Sequence, residues 1–223
     1  MKLEQATLNT INVQKTARYI SLGSLSKKTE VIWIALHGYG QLADYTASKF
    51  QFLDHEKHFV ICPEGLNKFY WHKNNEPVAC WMTKDNRYAE IDNFCNYLDA
   101  LYNRYCNHVN REVKIVLFGF SQGCATVWRW LHARKPHFDM FINWAGWVPE
   151  DISYRHLEAY FSNKKLLMVY GDQDEFITEE VVGKLKGLLS ENQLKMEEFQ
   201  FEGKHHIPKG LLERVVQEKL EID

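Results

Sequence analysis

Ser121 stands in the pentapeptide Gly119-Phe120-Ser121-Gln122-Gly123, a G-x-S-x-G pattern. Before it runs the apolar segment Val113-Lys114-Ile115-Val116-Leu117-Phe118. After it comes a helical segment from Cys124 to Ala133, whose clearest periodicity spans Thr126 to Ala133. Strand, tight turn and helix in that order predict a nucleophile elbow, in which strained backbone lifts a serine hydroxyl into the open. Glycines two residues either side of the serine let strand and helix pass closely. The chemistry such a serine performs is acyl transfer, and it requires partners. A serine hydroxyl is a weak nucleophile, so it needs a base to take its proton and an acid to orient that base.

On a strand–turn–helix scaffold the order is serine, then acid, then histidine. The strand Leu166–Tyr170 is followed by Gly171-Asp172-Gln173-Asp174. Asp174 clears the strand end and is the preferred acid; Asp172 is the second choice. The stretch Phe201-Glu202-Gly203-Lys204-His205-His206-Ile207-Pro208 puts two histidines between the last strand and the last helix. An oxyanion needs two fixed donors. The backbone amide of Gln122, at a helix start, is one. The other is the amide of Tyr39, in the loop His37-Gly38-Tyr39-Gly40-Gln41 after an early strand.

The elements that must position these groups alternate. Thr7 to Val13 and Arg18 to Leu22 read as two short strands opening the sheet in antiparallel fashion. Val31–Leu36, Phe59–Ile61, Val113–Phe118, Phe138–Trp144 and Leu166–Tyr170 are continuous apolar runs, as expected of strands buried on both faces; Glu198–Phe201 is a shorter last one. Helical patterns span Tyr88–Tyr105, Thr126–Ala133, Thr178–Leu189 and Pro208–Leu220. Thr178 is a capping residue, with Glu179 and Glu180 in the positive first turn. The alternation predicts an α/β fold with a mainly parallel sheet covered on both faces, its site beyond the carboxyl ends of the strands. With 223 residues and no linker-like tract, the chain reads as one domain over residues 1–223.

Composition narrows the function classes. Lys plus Arg is 27 and Asp plus Glu is 29, for a net charge of -2, which gives no footprint for nucleic acid or an anionic membrane. No apolar run reaches the length of a membrane span. Met1-Lys2-Leu3-Glu4-Gln5 lacks the apolar stretch of a secretory leader. The five cysteines (Cys62, Cys80, Cys95, Cys106 and Cys124) form neither a disulfide framework nor a zinc pattern. Together these point to a cytoplasmic protein with reduced, mostly buried thiols, no metal and no organic cofactor. His72 has no partner at metal spacing and reads as a loop histidine.

With these residues in hand, the chain resembles the α/β-hydrolases, and among them the phospholipase/carboxylesterase family that includes the acyl-protein thioesterases. The resemblance rests on L-H-G-Y-G at Leu36 to Gly40, G-F-S-Q-G at Gly119 to Gly123 and A-G-W-V-P at Ala145 to Pro149. Gly171 to Asp174 and Gly203 to Pro208 complete it. The family's G-x-H-x-I pattern falls on His205 and its G-x-x-D pattern on Asp174. The resemblance implies no inserted cap domain. The chain departs from the family at Gln41, where an aspartate is usual, and at Tyr170 and Ile177-Thr178 around the acid. The family's W-x-D stretch has only Cys80-Trp81-Met82-Thr83-Lys84-Asp85 as its counterpart.

The expectation is a serine hydrolase cleaving carboxylic esters, with thioesters as a second acyl class. Ser121, His205 and Asp174 form its triad. Trp71, Trp81 and Trp147 are candidate walls of an acyl pocket, or rings that pin long loops to the body; Trp33, Trp128 and Trp130 read as packing residues. The rival from another class is a non-catalytic ligand- or partner-binding protein on the same fold, marked by a missing triad member. A peptidase or an acyltransferase is a nearer rival.

Overall fold

A computed structural model describes residues 6–107, 109–155 and 157–220. The leader reading of Met1 to Gln5 lies outside them. The elements in chain order are β1 (Tyr19–Leu22), β2 (Val31–Leu36), α1 (Ala43–Lys49), β3 (His58–Pro63), β4 (Asn67–Tyr70), β5 (Pro77–Cys80), α2 (Arg87–Tyr105) and β6 (Lys114–Phe120). There follow α3 (Gln122–Arg134), β7 (Met140–Trp144), α4 (Glu158–Phe161), β8 (Lys165–Gly171), α5 (Glu179–Glu191), β9 (Glu197–Phe201) and α6 (Leu211–Lys219).

Seven strands form one sheet in the order β1-β3-β2-β6-β7-β8-β9, and β4 pairs with β5 in a separate hairpin. Every neighbour pair from β3 to β9 is parallel; β1 alone runs antiparallel, with Ile20 opposite Cys62. Successive side chains of a strand face opposite sides. In β2, Ile32, Ile34 and Leu36 join one buried cluster with residues of α2, α3 and α5, while Val31, Trp33 and Ala35 join a second with residues of α1 and α6. That is why the strand carries no polar residue. Each fully buried Val, Ile or Leu among them contributes about 1.5–3 kcal/mol.

The expected pair of opening strands is corrected. Residues Thr7 to Val13 form no strand, and Leu8, Ile11 and Val13 are 95%, 87% and 80% exposed. Their β-favouring composition has no neighbour to pair with, and backbone pairing, not propensity, makes a strand. The antiparallel start is supplied by β1 against β3. Two further differences concern boundaries. Helix α6 begins at Leu211 and not at Pro208, since Gly210 in the left-handed region (φ 76) sets its start. Helix α3 begins at Gln122, directly after the serine. Thr178 caps α5 as expected, its hydroxyl accepting from the Val181 amide at 3.4 Å.

Candidate active site

Strand β6 carries Ser121 to the carboxyl edge of the sheet. Ser121 has φ 53 and ψ −117, a backbone conformation that an L-residue adopts only under constraint. The constraint is visible on both sides. The Ser121 amide donates to the Trp144 carbonyl at 2.9 Å, and its own carbonyl accepts from the Cys124 amide at 3.0 Å. A Cβ on Gly119 would lie 2.7 Å from backbone atoms of Cys124, and one on Gly123 would lie 2.6 Å from the Leu36 carbonyl oxygen. No side chain fits either gap. The turn is thus wedged between its own helix and the end of β2.

His205 reaches the serine from the loop between β9 and α6. Its Nε2 lies 2.9 Å from Ser121 Oγ, and its Nδ1 lies 2.8 Å from Asp174 Oδ2. A carboxylate only accepts, so Nδ1–H donates to Asp174, and in the neutral ring Nε2 is left with a lone pair facing the serine hydroxyl. The imidazole is held between Phe120 and Phe176, whose centroids lie 5.1 and 4.7 Å away. The Trp144 indole donates to the His206 carbonyl at 3.0 Å and fixes the loop from below.

Asp174 is buried, and its second oxygen, Oδ1, accepts from the Phe176 amide at 2.8 Å and the Ile177 amide at 3.1 Å. Burial alone would raise its carboxyl pKa. The His205 hydrogen bond and the two amides outweigh that and hold it below the usual carboxylate range. Asp172, the second choice, does a different job: its Oδ1 accepts from the Gly203 amide at 2.9 Å and joins the acid loop to the histidine loop. His206 is exposed, with Nδ1 3.0 Å from the Lys204 carbonyl oxygen.

The loop after β2 faces the elbow. Among the described residues, neither the Tyr39 amide nor the Gln122 amide donates to any acceptor. His37 is fully buried. The Gly65 amide donates to its Nε2 at 2.9 Å, so Nδ1 carries the proton and donates to the Gly38 carbonyl at 2.7 Å. Gln41, standing where the resembled family has an aspartate, accepts the Gly38 amide on Oε1 at 2.8 Å. Gln122 uses its side chain too, accepting the Trp81 amide at 3.0 Å and donating to the Met82 carbonyl at 2.9 Å. Sequence reasoning missed both glutamine side chains; the unusual Gln41 was the available signal.

The three tryptophans separate. Trp71 is half-buried beside Tyr39 and Phe69, with centroids 6.1 and 6.2 Å away, and packs so tightly on Gly40 that a Cβ there would lie 2.5 Å from its ring. Trp147 is half-buried in the loop after β7. Trp81 is 1% exposed and stacks on His37 at 5.1 Å, so it has no open face to offer an acyl chain.

The thiol nearest the turn, that of Cys124, is unsuited to nucleophilic attack by its surroundings. Burial pushes the Cys124 thiol well above its ordinary pKa, and its Sγ lies 3.0 Å from the Gly119 carbonyl oxygen. All five cysteines are buried and unpaired. Among the described residues no group of three or more His, Cys, Asp or Glu is arranged to hold a metal ion, and no helix is long and apolar enough to cross a membrane.

Two buried histidines give stability a pH dependence. Burial lowers the pKa of His37 below its ordinary 6.5, against the opposing Gly38 bond and nearby carboxylates. It does the same for His58, whose Nδ1 accepts the Trp33 indole N–H at 3.0 Å. The unfolded chain then binds more protons than the folded one below pH 6.5, so stability is complete above that value and falls as the pH drops toward the folded pKa values. The melting temperature should therefore decrease between about pH 7 and about pH 5. Thermal unfolding across that range checks it; a rising melting temperature would contradict it.

A parallel sheet with one antiparallel edge strand, helices on both faces and a strained serine turn at its carboxyl edge defines the α/β-hydrolase fold. The chain belongs to the serine hydrolase family FSH1, which it matches over residues 26–215. No curated protein matches the sequence significantly. Among solved structures it is similar to acyl-protein thioesterase 2 of Zea mays (15% identity, TM-score 0.67, covering 91% of this chain and 97% of that one). It is also similar to YahD, in a structure with malic acid (15%, 0.69, 93% and 100%), and to a Bacillus cereus carboxylesterase (15%, 0.65, 90% and 92%). At that identity the likeness is one of fold.

Proposed function

We propose that this chain, as a single domain, is a carboxylic ester hydrolase that works through a Ser121–His205–Asp174 triad and an acyl-enzyme. The observation that carries the reading is the unbroken hydrogen-bond path from Ser121 Oγ through both nitrogens of His205 to Asp174, at 2.9 and 2.8 Å. Ser121 Oγ attacks the acyl carbon while His205 Nε2 takes its proton. The negative charge that develops on the carbonyl oxygen is met by the Tyr39 and Gln122 amides. Collapse expels the alcohol or thiol, which leaves with the proton from His205. Water then attacks the acyl-enzyme, His205 takes a proton from it, and Ser121 recovers a proton as the acid departs. Asp174 stays ionised throughout, supported by its two backbone donors. No step calls for a metal or an organic cofactor.

Thioesters fit the same cycle, and the named activities of the maize and Bacillus cereus relatives in fold are both acyl hydrolyses. The near-neutral charge and five unpaired cysteines fit a cytoplasmic enzyme acting on small molecules and not on nucleic acid.

Trp71, with Tyr39 and Phe69, forms a half-open aromatic face next to the oxyanion loop, and Trp147 lies on the β7 side; these are the substrate contacts the reading favours. Trp71→Ala should raise KM for p-nitrophenyl esters by about 5- to 30-fold, corresponding to about 1–2 kcal/mol of lost apolar contact, and more for long acyl chains than for acetate. An ester series with an acyl-thioester beside it tests both points. An unchanged KM across the series would remove Trp71 from the substrate site.

A further inference from the structure

The two oxyanion amides belong to different elements. Gln122 opens α3 and is fixed by the elbow. Tyr39 lies three residues beyond the end of β2, in a loop that the main sheet does not hold. Something must set the distance between them, since an oxyanion hole works only when both donors are in place before the charge develops.

The segment Ala79 to Met82 runs between them and bonds to both. On the Tyr39 side, the Gly40 amide donates to the Ala79 carbonyl at 2.9 Å, the Ala79 amide donates to the Gln41 carbonyl at 3.0 Å, and the Trp81 indole donates to the His37 carbonyl at 2.9 Å. On the other side, the Trp81 amide donates to Gln122 Oε1 at 3.0 Å and Gln122 Nε2 donates to the Met82 carbonyl at 2.9 Å. Trp81 alone among the described residues bonds to both oxyanion segments. Its ring is clamped between His37, at 5.1 Å, and Phe94 of α2, at 6.4 Å edge-on. A buried, sandwiched indole has one orientation, so its N–H and its own backbone amide fix His37 and Gln122 relative to one another.

We propose that Trp81 is a positioning residue that holds the Tyr39 and Gln122 amides at the spacing the tetrahedral intermediate requires. It touches no substrate. Its contribution belongs to the transition state, so its loss must appear in kcat and not in KM. This rests on the ester-hydrolase reading above.

Trp81→Phe keeps a ring in the sandwich and removes the N–H. The expected result is a fall in kcat of about 10- to 100-fold with KM within about twofold. A trifluoromethyl ketone, which adds to Ser121 and places an oxyanion between the two amides, should weaken by the same factor as kcat/KM. Gln122→Met removes the other half of the strap by keeping its backbone amide and losing its side-chain bonds. It should show the same parallel loss and carries the test if Trp81→Phe does not fold. Combining the two should cost less than the product of the single losses, since both release one geometry.

Wild-type kcat and ketone affinity in Trp81→Phe would overturn the proposal. So would a loss expressed as a raised KM with ketone affinity intact. Failure of the underlying reading looks different: wild-type protein would then neither hydrolyse p-nitrophenyl esters nor react with a fluorophosphonate at Ser121.

Discussion

His205→Ala should lower kcat/KM for a p-nitrophenyl ester by about 10⁴- to 10⁶-fold, whereas His206→Ala should stay within about twofold of wild type. The adjacent histidines are interchangeable by composition and opposite in surroundings. His205 touches Ser121 at 2.9 Å and Asp174 at 2.8 Å. The His206 ring is exposed and its Nδ1 meets only the Lys204 carbonyl, at 3.0 Å. What His206 contributes to the loop is its backbone carbonyl, the acceptor of the Trp144 indole, and alanine keeps that carbonyl. Removing the base leaves a hydroxyl that must ionise unaided, with the oxyanion amides still present; hence a large residual loss and not zero activity. Steady-state kinetics of the two variants decide the matter. Comparable losses in both would place the base elsewhere.

Asp174→Asn should cost about 10⁴-fold in kcat while leaving the fold intact. The size follows from orientation. Oδ1 of Asp174 serves two buried amides, those of Phe176 and Ile177, which require an acceptor. An asparagine would therefore turn its carbonyl oxygen toward them and its NH₂ toward His205. Facing a donor, Nδ1 would have to give up its proton, and the neutral ring would carry hydrogen on Nε2, pointing at the serine it should deprotonate. Asp172→Asn is the contrast, since an amide oxygen can still accept the Gly203 N–H; its effect should be within about threefold. Activity retained in Asp174→Asn, or lost equally in Asp172→Asn, would contradict the assignment.

Much of the fold and of the candidate site is legible in the sequence. Strands such as Val31–Leu36 announce themselves because a strand buried on both faces admits no polar residue. The candidate residues Ser121, Asp174 and His205 are legible as an order of motifs along the chain, since each follows a recognisable strand. What escaped was held by tertiary contact. Thr7 to Val13 has the composition of a strand but no partner. The β4–β5 hairpin carries no Gly-containing turn signal; Asn75, in the left-handed region (φ 55), stands in its turn. Helix α1 is only seven residues long. Trp71 and Trp81 lie ten positions apart on the same stretch, and nothing in their neighbourhood of sequence says that one is half-buried beside Tyr39 and Phe69 while the other is buried against His37.

Ser121 as the reacting nucleophile is tested most directly by treating the folded protein with a fluorophosphonate and mapping the adduct by peptide mass spectrometry. One residue should be modified, Ser121, with no labelling in Ser121→Ala and strongly slowed labelling in His205→Ala. An unreactive wild-type protein, or a label that persists in Ser121→Ala, would contradict it.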